Sequence, residues 1–356
     1  MTWTEIDWAA LERLRGLFLS GAAAQGAYWR SAAELASYDL TYGERIGWKW
    51  DAVLRELDQR SFRPPGAGAR ALSASARNAA AGLSVLDWGC GSGIAGRRVV
   101  RWLGADRVSV LRLWDHSAAA ADFAAEAAHD RFPKLAVEHL TPGFLAGDSP
   151  VGVLVISHVL NELPASELLA LRGLASRAQA ILWVEPGTRE VSRALIELRE
   201  QLRDRFRLVA PCTHQNACGL LAPENARHWC HHFAAPPVGI FADSNWVKFG
   251  QRAGIDLRSL PYSFLALERR QTVEAVDPTA GFSRVIGEPR SYKGFAKVLS
   301  CETGGVTERM LQKRDAPDLF RKFRRPEGAM VYRWTIAEER IVGGEPLSRL
   351  TRSGGI

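Results

Sequence analysis

The stretch VLDWGCGSGIAG, Val85 to Gly96, decides how this chain is read. An apolar, β-branched run ends in an acid, Asp87, then passes through Gly89, Gly91 and Gly93 into a helix-like segment. Glycines suit such a turn because a Cβ would block both the sharp reversal and close approach of a ligand to the backbone. A helix starting there offers unpaired N–H groups to anionic or polar ligand atoms. Strand, glycine turn and helix together predict a nucleotide-like ligand at the edge of a parallel sheet.

Working outward, the next apolar run, Val108 to Trp114, ends at Asp115. An acid at the end of a second strand suits ribose hydroxyls, since it accepts two hydrogen bonds. Two cofactors compete. Acid-x-Gly-x-Gly-x-Gly resembles the first motif of class I S-adenosylmethionine (SAM) methyltransferases, whereas Gly91, Gly93 and Gly96 also spell the dinucleotide fingerprint GxGxxG. Asp87 stands two residues before the first glycine, and the loop follows a long helical extension instead of opening the chain. Both features favour SAM, held by Asp87, Gly89, Gly91 and Gly93, with Asp115 on the ribose. A nicotinamide or flavin cofactor, or a purely structural turn, is the alternative.

The expected fold class is α/β: a Rossmann-like SAM methyltransferase sheet with an N-terminal helical extension, a Cys-rich insertion and a small C-terminal β module. Strands are expected at 84–87, 108–114, 136–139, 151–157 and 180–184, with helices near 94–104, 117–130, 165–177 and 189–207. In residues 1–60, Trp8, Leu11, Leu14 and Phe18 recur at helical spacing, and Trp48, Val53 and Leu54 start a second amphipathic run. Tryptophans at 3, 8, 29, 48 and 50 read as helix packing. A Pro/Gly/Ala/Ser-rich connector covers 61–82, and the SAM domain 83–207. Then follow a Cys/His-rich insertion (208–240), remaining sheet strands (241–270), a basic β module (271–330) and a tail (331–356). Glu302-Thr303-Gly304-Gly305 is the clearest hairpin signal.

Hydrophobic residues make up 47% of the 356, enough for a sizeable core, and no apolar run reaches 18 residues, so a membrane span is not expected. MTWTEIDW has neither the basic-then-apolar build of a secretory signal nor the Arg-rich, acid-poor build of a transit peptide, which points to the cytoplasm. Net charge is +7, and eleven Lys or Arg against five acids between Arg284 and Arg325 carry +6 of it. Such concentration is the footprint of a polyanion partner, with a salt-bridged solvated surface as the plain alternative.

Five cysteines are too few and too uneven for a disulfide framework. Cys90 reads as a space-filler in the glycine loop. Cys212, Cys218 and Cys230 fall within nineteen residues, among His214, His228, His231 and His232, and Cys301 ends the run FAKVLSC. Clustered thiolates repel one another unless a soft metal takes them. Zinc knuckles normally use a short C-x2–4-C pair, which is missing here; a four-iron cluster tolerates wide, irregular spacing. Iron–sulfur, zinc and unligated buried thiols all remain open on residues alone.

Several pieces then align. The glycine loop, the PC-x-H-x3-C element, Trp-Cys-His followed by Phe233, and SRVIGEPRSYKGFAKVLSCETGG with its basic run resemble the methyltransferase-like small-ribosomal-subunit assembly family. Its mitochondrial members act on the small mitoribosomal subunit and carry a four-cysteine iron–sulfur cluster. The resemblance spans roughly residues 80–325 and implies a 4Fe-4S cluster on Cys212, Cys218, Cys230 and Cys301. It implies small-subunit rRNA as partner, no membrane, and a monomer on the ribosomal particle. Two departures stand out: two histidines precede Phe233 where the pattern has one, and the ending reads RRPEGAMVYRW.

RNA phosphates would be gripped by Arg284, Arg290, Lys293, Lys297, Lys313, Arg314, Arg321, Lys322, Arg324 and Arg325. For catalysis the sequence is less explicit. The Asn/Asp-Pro-Pro-aromatic turn of amino-group methyltransferases is missing, and Ser157-His158-Val159-Leu160-Asn161-Glu162 occupies that place. His158 can serve as a general base, with Glu162 in reach if the stretch is helical; packing and capping of the loop is the plain reading. Pro211-Cys212 has the letters of a cytosine-C5 nucleophile but not the context. The expected function is a SAM-binding ribosome-assembly factor. The alternatives are an active rRNA methyltransferase and a small-molecule methyltransferase with a structural zinc.

Overall fold

The computed structural model describes residues 1–21, 26, 28–66, 82–271, 279–326 and 328–348. Most of the expected connector, 67–81, and the end of the expected tail, 349–356, lie outside the described residues. The N-terminal helices are α1 (Trp8–Ser20), α2 (Ala32–Tyr38) and α3 (Glu44–Gln59). They are followed by β1 (Leu83–Trp88), α4 (Ile94–Leu103), β2 (Val108–Trp114), α5 (Ala118–Arg131), β3 (Val137–His139) and α6 (Pro142–Ala146). Next come β4 (Val151–Ser157), α7 (Ala165–Ala175), β5 (Ala178–Pro186), α8 (Arg189–Leu202), β6 (Phe206–Ala210), β7 (His232–Phe233), α9 (Ser244–Ala253) and β8 (Pro261–Arg269). The chain ends with β9 (Ser283–Ser291), β10 (Phe295–Glu302), β11 (Gly305–Gln312), α10 (Pro317–Arg324), β12 (Val331–Ala337) and β13 (Arg340–Pro346).

Two units divide the chain. The first holds residues 1–51, 63–185 and 236–260. Its five strands run parallel in the order β3-β2-β1-β4-β5. Strand residues such as Val85, Leu86, Val153, Leu154, Ile181 and Leu182 are almost fully buried. Such unbroken runs, without polar alternation, are what a sheet covered on both faces requires. The order reverses between β1 and β4, so the crevice beyond their carboxyl ends is the topological switch point where ligands of such sheets bind.

Helix starts in this unit follow from the sequence. Asp7 caps α1 by accepting from the Ala10 N–H, and Ser117 caps α5 through the Ala120 N–H. The N-terminal tryptophans pack as expected: Trp3 and Trp48 meet Trp246 with ring centroids 5.1 and 4.7 Å apart, and Trp50 is fully buried. Trp246 belongs to α9, which corrects one expectation. Residues 241–270 do not hold strands alone, because Asp243 caps a helix over 244–253 and Gly254, at φ 61°, ends it.

The second unit holds residues 52–62, 186–235 and the chain from 261 onward. Here β8 pairs antiparallel with both β6 and β7. Strands β9 to β13 close a barrel in the order β10-β11-β13-β12-β9, in which β11 and β13 are parallel. Glu302 faces Gly305 across the expected hairpin. Leu319, Phe320 and Phe323 of α10 join Val285, Ala296, Val298, Leu311, Tyr332 and Ile341 in the barrel core. Residues 331–346 are therefore no tail. Without β12 and β13 the barrel would expose the edges of β9 and β11.

Candidate functional site

The glycine loop follows β1 at the switch point. The Gly89 and Cys90 N–H groups both donate to the Trp114 carbonyl, at 2.8 and 2.9 Å, which ties the loop to the end of β2. Gly89, Gly91 and Gly93 have φ of 70°, 51° and 77°, the left-handed region that favours glycine. A Cβ on Gly96 would sit 2.7 Å from Asp87 Oδ2, so that glycine is needed for helix and strand to approach. A Cβ on Gly91 would meet nothing within 4 Å, which leaves its face open to a ligand.

Asp87 plays a more internal part than its position in the motif suggests. It is fully buried; Oδ2 accepts from the Gly96 N–H at 2.9 Å, and Oδ1 has no hydrogen-bond partner among the described residues. Burial pushes its carboxyl up to about 7. Asp115 lies opposite Gly91: Oδ2 accepts from the Gly91 N–H and Oδ1 from the Ser117 N–H, both at 2.9 Å. Burial raises this carboxyl too.

The other wall comes from the end of β4. His158 has a φ of 57°, rare for a side-chain-bearing residue, and its N–H donates to the Val184 carbonyl at 2.9 Å. Its Nε2 lies 3.2 Å from Lys49 Nζ and its Nδ1 3.3 Å from Ser157 Oγ, which in turn accepts from Trp50 Nε1 at 2.9 Å. Burial and the nearby Lys49 ammonium hold the imidazole well below its ordinary value, so it is neutral at pH 7. Burial, then Arg45, brings Lys49 down to about 7.

Glu162 does not join His158. Residues 158–162 form a turn, not a helix, and the Glu162 carboxylate accepts from the Tyr28 hydroxyl at 3.1 Å instead. Burial lifts it to about 7. Beneath, Glu185 accepts from Trp183 Nε1 at 2.6 Å and from the Val159 N–H at 3.2 Å, and burial lifts it to about 8. Sequence reasoning missed Lys49, Tyr28 and Glu185. Lys49 carried one faint signal: it is the only lysine before residue 134 in an arginine-rich chain, set between two tryptophans.

In the second unit the four expected cysteines do come together. Cys301 shares an apolar cluster with Ile196, Leu220 and Ile286, against which Cys218 and Cys230 pack. Cys212 Sγ accepts from Arg199 Nε at 3.4 Å, and the buried Arg199 also donates to the Asn216 carbonyl at 2.7 Å. Burial and then the neighbouring Cys212 push Cys218 up to about 11, and the same causes raise Cys230 and Cys301. Among the described residues no three His, Cys, Asp or Glu side chains group tightly enough for a single metal ion.

The Cys212 segment is held from below. Arg60 donates to the carbonyls of Val209, Pro211 and Cys212 at 2.8 to 2.9 Å. Glu56 holds Arg60 at 2.8 Å and Arg284 at 2.5 Å, and all three side chains are buried. Arg284 is thus no phosphate contact. It lies inside the unit, neutralised by Glu56 and 5.8 Å from the Phe264 ring centre. A count of charge along the sequence could not separate it from the rest.

The other nine expected cations lie at the surface, Lys297 half-buried. Arg321, Lys322 and Arg324 line the solvent side of α10, with Arg325 just beyond. Arg290 and Lys297 share Glu308, while Arg321 and Arg314 have only exposed or distant pairings with Asp318 and Asp315. Surface pairs of this kind contribute little and yield readily to a phosphate.

Among solved structures, the chain is similar to the magnesium protoporphyrin IX methyltransferase ChlM of Synechocystis PCC 6803, at 14% identity over 73% of this chain and 100% of that one, TM-score 0.37. It is also similar to TrmK of M. capricolum (8%, 54% and 66%, TM-score 0.31) and to precorrin 8w decarboxylase of Methanobacterium thermoautotrophicum (15%, 53% and 82%, TM-score 0.32). Likeness of this degree says nothing of substrate. No curated protein matches. The family described as mitochondrial small ribosomal subunit Rsm22 matches over residues 81–330, from the start of β1 through the barrel's helix, which is well over half of the 356 residues. The chain belongs to the Rsm22 family.

Proposed function

We propose that this protein is a SAM-binding factor of the small ribosomal subunit, in which cofactor and cysteine site shape an rRNA-binding surface. The observation that carries the reading is the glycine loop of an Rsm22-family chain: Gly91 opens onto free space beside the Asp115 carboxylate, at the switch point of the sheet. The open backbone face at Gly91 would lie against the amino-acid end of SAM, and Asp115 would take its ribose. Asp87, which pins the Gly96 N–H, would position the loop. The protein would act as a monomer on the particle. Its compartment would be that of the subunit it serves, which the family's description makes mitochondrial.

The cysteine site fits a 4Fe-4S cluster. Four soft donors meet beside the buried Arg199 guanidinium, which offsets the charge of thiolate ligands. A zinc knuckle would use instead a short Cys-x2–4-Cys pair, whereas Cys212, Cys218 and Cys230 are separated by five and eleven residues. When bound, the cluster would supply a cross-link between the 212–230 segment and β10.

A second reading, an active rRNA methyltransferase, is favoured by Lys49 and His158. A Lys49 amine brought down to about 7 is partly unprotonated at working pH and can take a proton from a nucleophile, with the neutral His158 imidazole 3.2 Å away to orient it. The test has two parts. RNA recovered with the full chain should be enriched in small-subunit rRNA, and its absence overturns the main reading. Transfer of labelled methyl from SAM to purified small subunits, lost in Lys49→Met, would move the second reading ahead.

A further inference from the structure

The barrel has a recognisable connectivity. Counting β9 as first, its strands lie in the order first, second, third, fifth, fourth and back to the first, with third and fifth parallel and α10 between third and fourth. That is the OB arrangement, whose second and third strands and adjoining loop form a binding face in many barrels. Fold alone assigns no ligand, so the residues on that face must do so.

The face is half covered. Ile286, Leu299, Cys301 and Val306, at one end of β9–β11, pack with Leu220, Cys218 and Cys230. The other end is open. There Tyr292, in the loop between β9 and β10, is 48% exposed and stacks on Phe295 with ring centres 4.5 Å apart and planes 15° from parallel. The loop is firmly built, since the Tyr292 N–H donates to the Phe295 carbonyl at 2.8 Å and the Lys313 N–H to the Gly294 carbonyl at 2.9 Å. Arg290 and Lys297 are paired in the register next to it, and Lys293, adjacent to Tyr292 in the loop, and Lys313, whose N–H binds Gly294, are exposed.

A flat, exposed ring with cations near it in loop and register matches a strand whose bases are unstacked and whose phosphates run alongside. We infer that the Tyr292–Phe295 platform stacks a base of single-stranded RNA, with Lys293, Lys297 and Lys313 on the flanking phosphates. The inference rests on the rRNA reading above and names the form of RNA and the place it lands. A duplex would hide its base faces, and so would gain nothing from the ring.

The test uses the full chain, a fluorescent oligouridine and a duplex of equal length, followed by anisotropy at several salt concentrations. Wild type should bind the single strand more tightly than the duplex. Tyr292→Leu keeps an apolar cover on Phe295 and should weaken single-strand binding about tenfold, the size of one lost base stack, with little change in salt slope. Tyr292→Trp should restore it. Lys293→Ala with Lys313→Ala should flatten the slope instead. Unchanged single-strand affinity in Tyr292→Leu overturns the platform, as does a preference for duplex. If Tyr292→Leu instead abolished capture of a ribosomal protein with no effect on RNA, the face would belong to a protein partner and the inference would fall. Wild type that binds SAM but no RNA of either form would overturn the rRNA reading itself.

Discussion

Glu56→Ala should be the most damaging single change in the second unit. Glu56 is 2% exposed and is the carboxylate between two buried guanidiniums, those of Arg60 and Arg284. Removing one partner of a buried ion pair costs about 3–5 kcal/mol, because the other charge stays in a poorly solvated site. Here two cations would be left. Against a total stability of roughly 5–15 kcal/mol, that is at least about a fifth of what holds the fold. With a urea m-value of about 2 kcal/mol/M, the unfolding midpoint should fall by about 2 M. Arg60 would also be freer to leave the carbonyls of Val209, Pro211 and Cys212, so the cysteine segment should exchange its amides faster. The pH dependence follows from sign. Burial alone would raise the Glu56 carboxyl, but Arg284 and Arg60 outweigh it and hold it below its ordinary value. Its contribution is therefore present above the unfolded carboxyl range, near 4.3, and fades as pH falls through the lower folded value. Urea melts of wild type and Glu56→Ala between pH 3 and 7 would read this. An unchanged midpoint, or a loss of the same size at pH 3 as at pH 7, would refute the reasoning.

Other outcomes are expected. Asp115→Ala should weaken SAM binding about tenfold by calorimetry, the size of an unpaired ribose contact of about 1–3 kcal/mol. Lys49 is brought down to about 7 in the folded chain, so the unfolded state binds more protons from there to about 10.4 and stability rises across that window; Lys49→Met should flatten that rise in thermal melts. Cys301→Ser, purified without oxygen, should lose iron relative to wild type while SAM binding persists, and stoichiometric zinc in the wild type would refute the cluster. Replacing Arg321, Lys322, Arg324 and Arg325 with alanine should flatten the salt dependence of small-subunit rRNA binding, which gel shifts at several salt concentrations would measure.

What the sequence revealed and what it concealed divide along a physical line. β1, β2, β4 and β5 were legible because strands buried on both faces read as unbroken apolar runs closed by turn residues. The glycine loop was legible because left-handed backbone leaves its mark in residue type. That Cys301 packs with Cys218 and Cys230 was legible only through the family resemblance, because 70 residues lie between Cys230 and Cys301. α9 was not, since NWVKFGQRA mixes aromatics with polar residues at a short helix's length, and its partners Trp3 and Trp48 lie some two hundred positions earlier. β13 was hidden by Gly343 and Gly344, which weaken any strand signal.

The roles of individual charges were the least legible part, and Arg284 shows why. In sequence it heads a basic run and looks like its first phosphate contact. Whether a cation meets solvent or the interior depends on which face of its strand it occupies and on what that face covers. Arg284 lies opposite Cys301 in the β9–β10 register, on the part of the barrel packed against the rest of the unit, and its counter-charge is 228 positions away. No local pattern can supply Glu56. His158 and Glu162 make the same point from the other side. Their spacing suggested a pair on one helix face, but the chain turns there, and each finds its partner in the N-terminal helical region, Lys49 for one and Tyr28 for the other. That region, which the motifs left as scaffolding, therefore supplies side chains to the candidate site. A deletion of residues 1–51 should consequently abolish more than stability: it removes the amine beside His158 and the hydroxyl on Glu162.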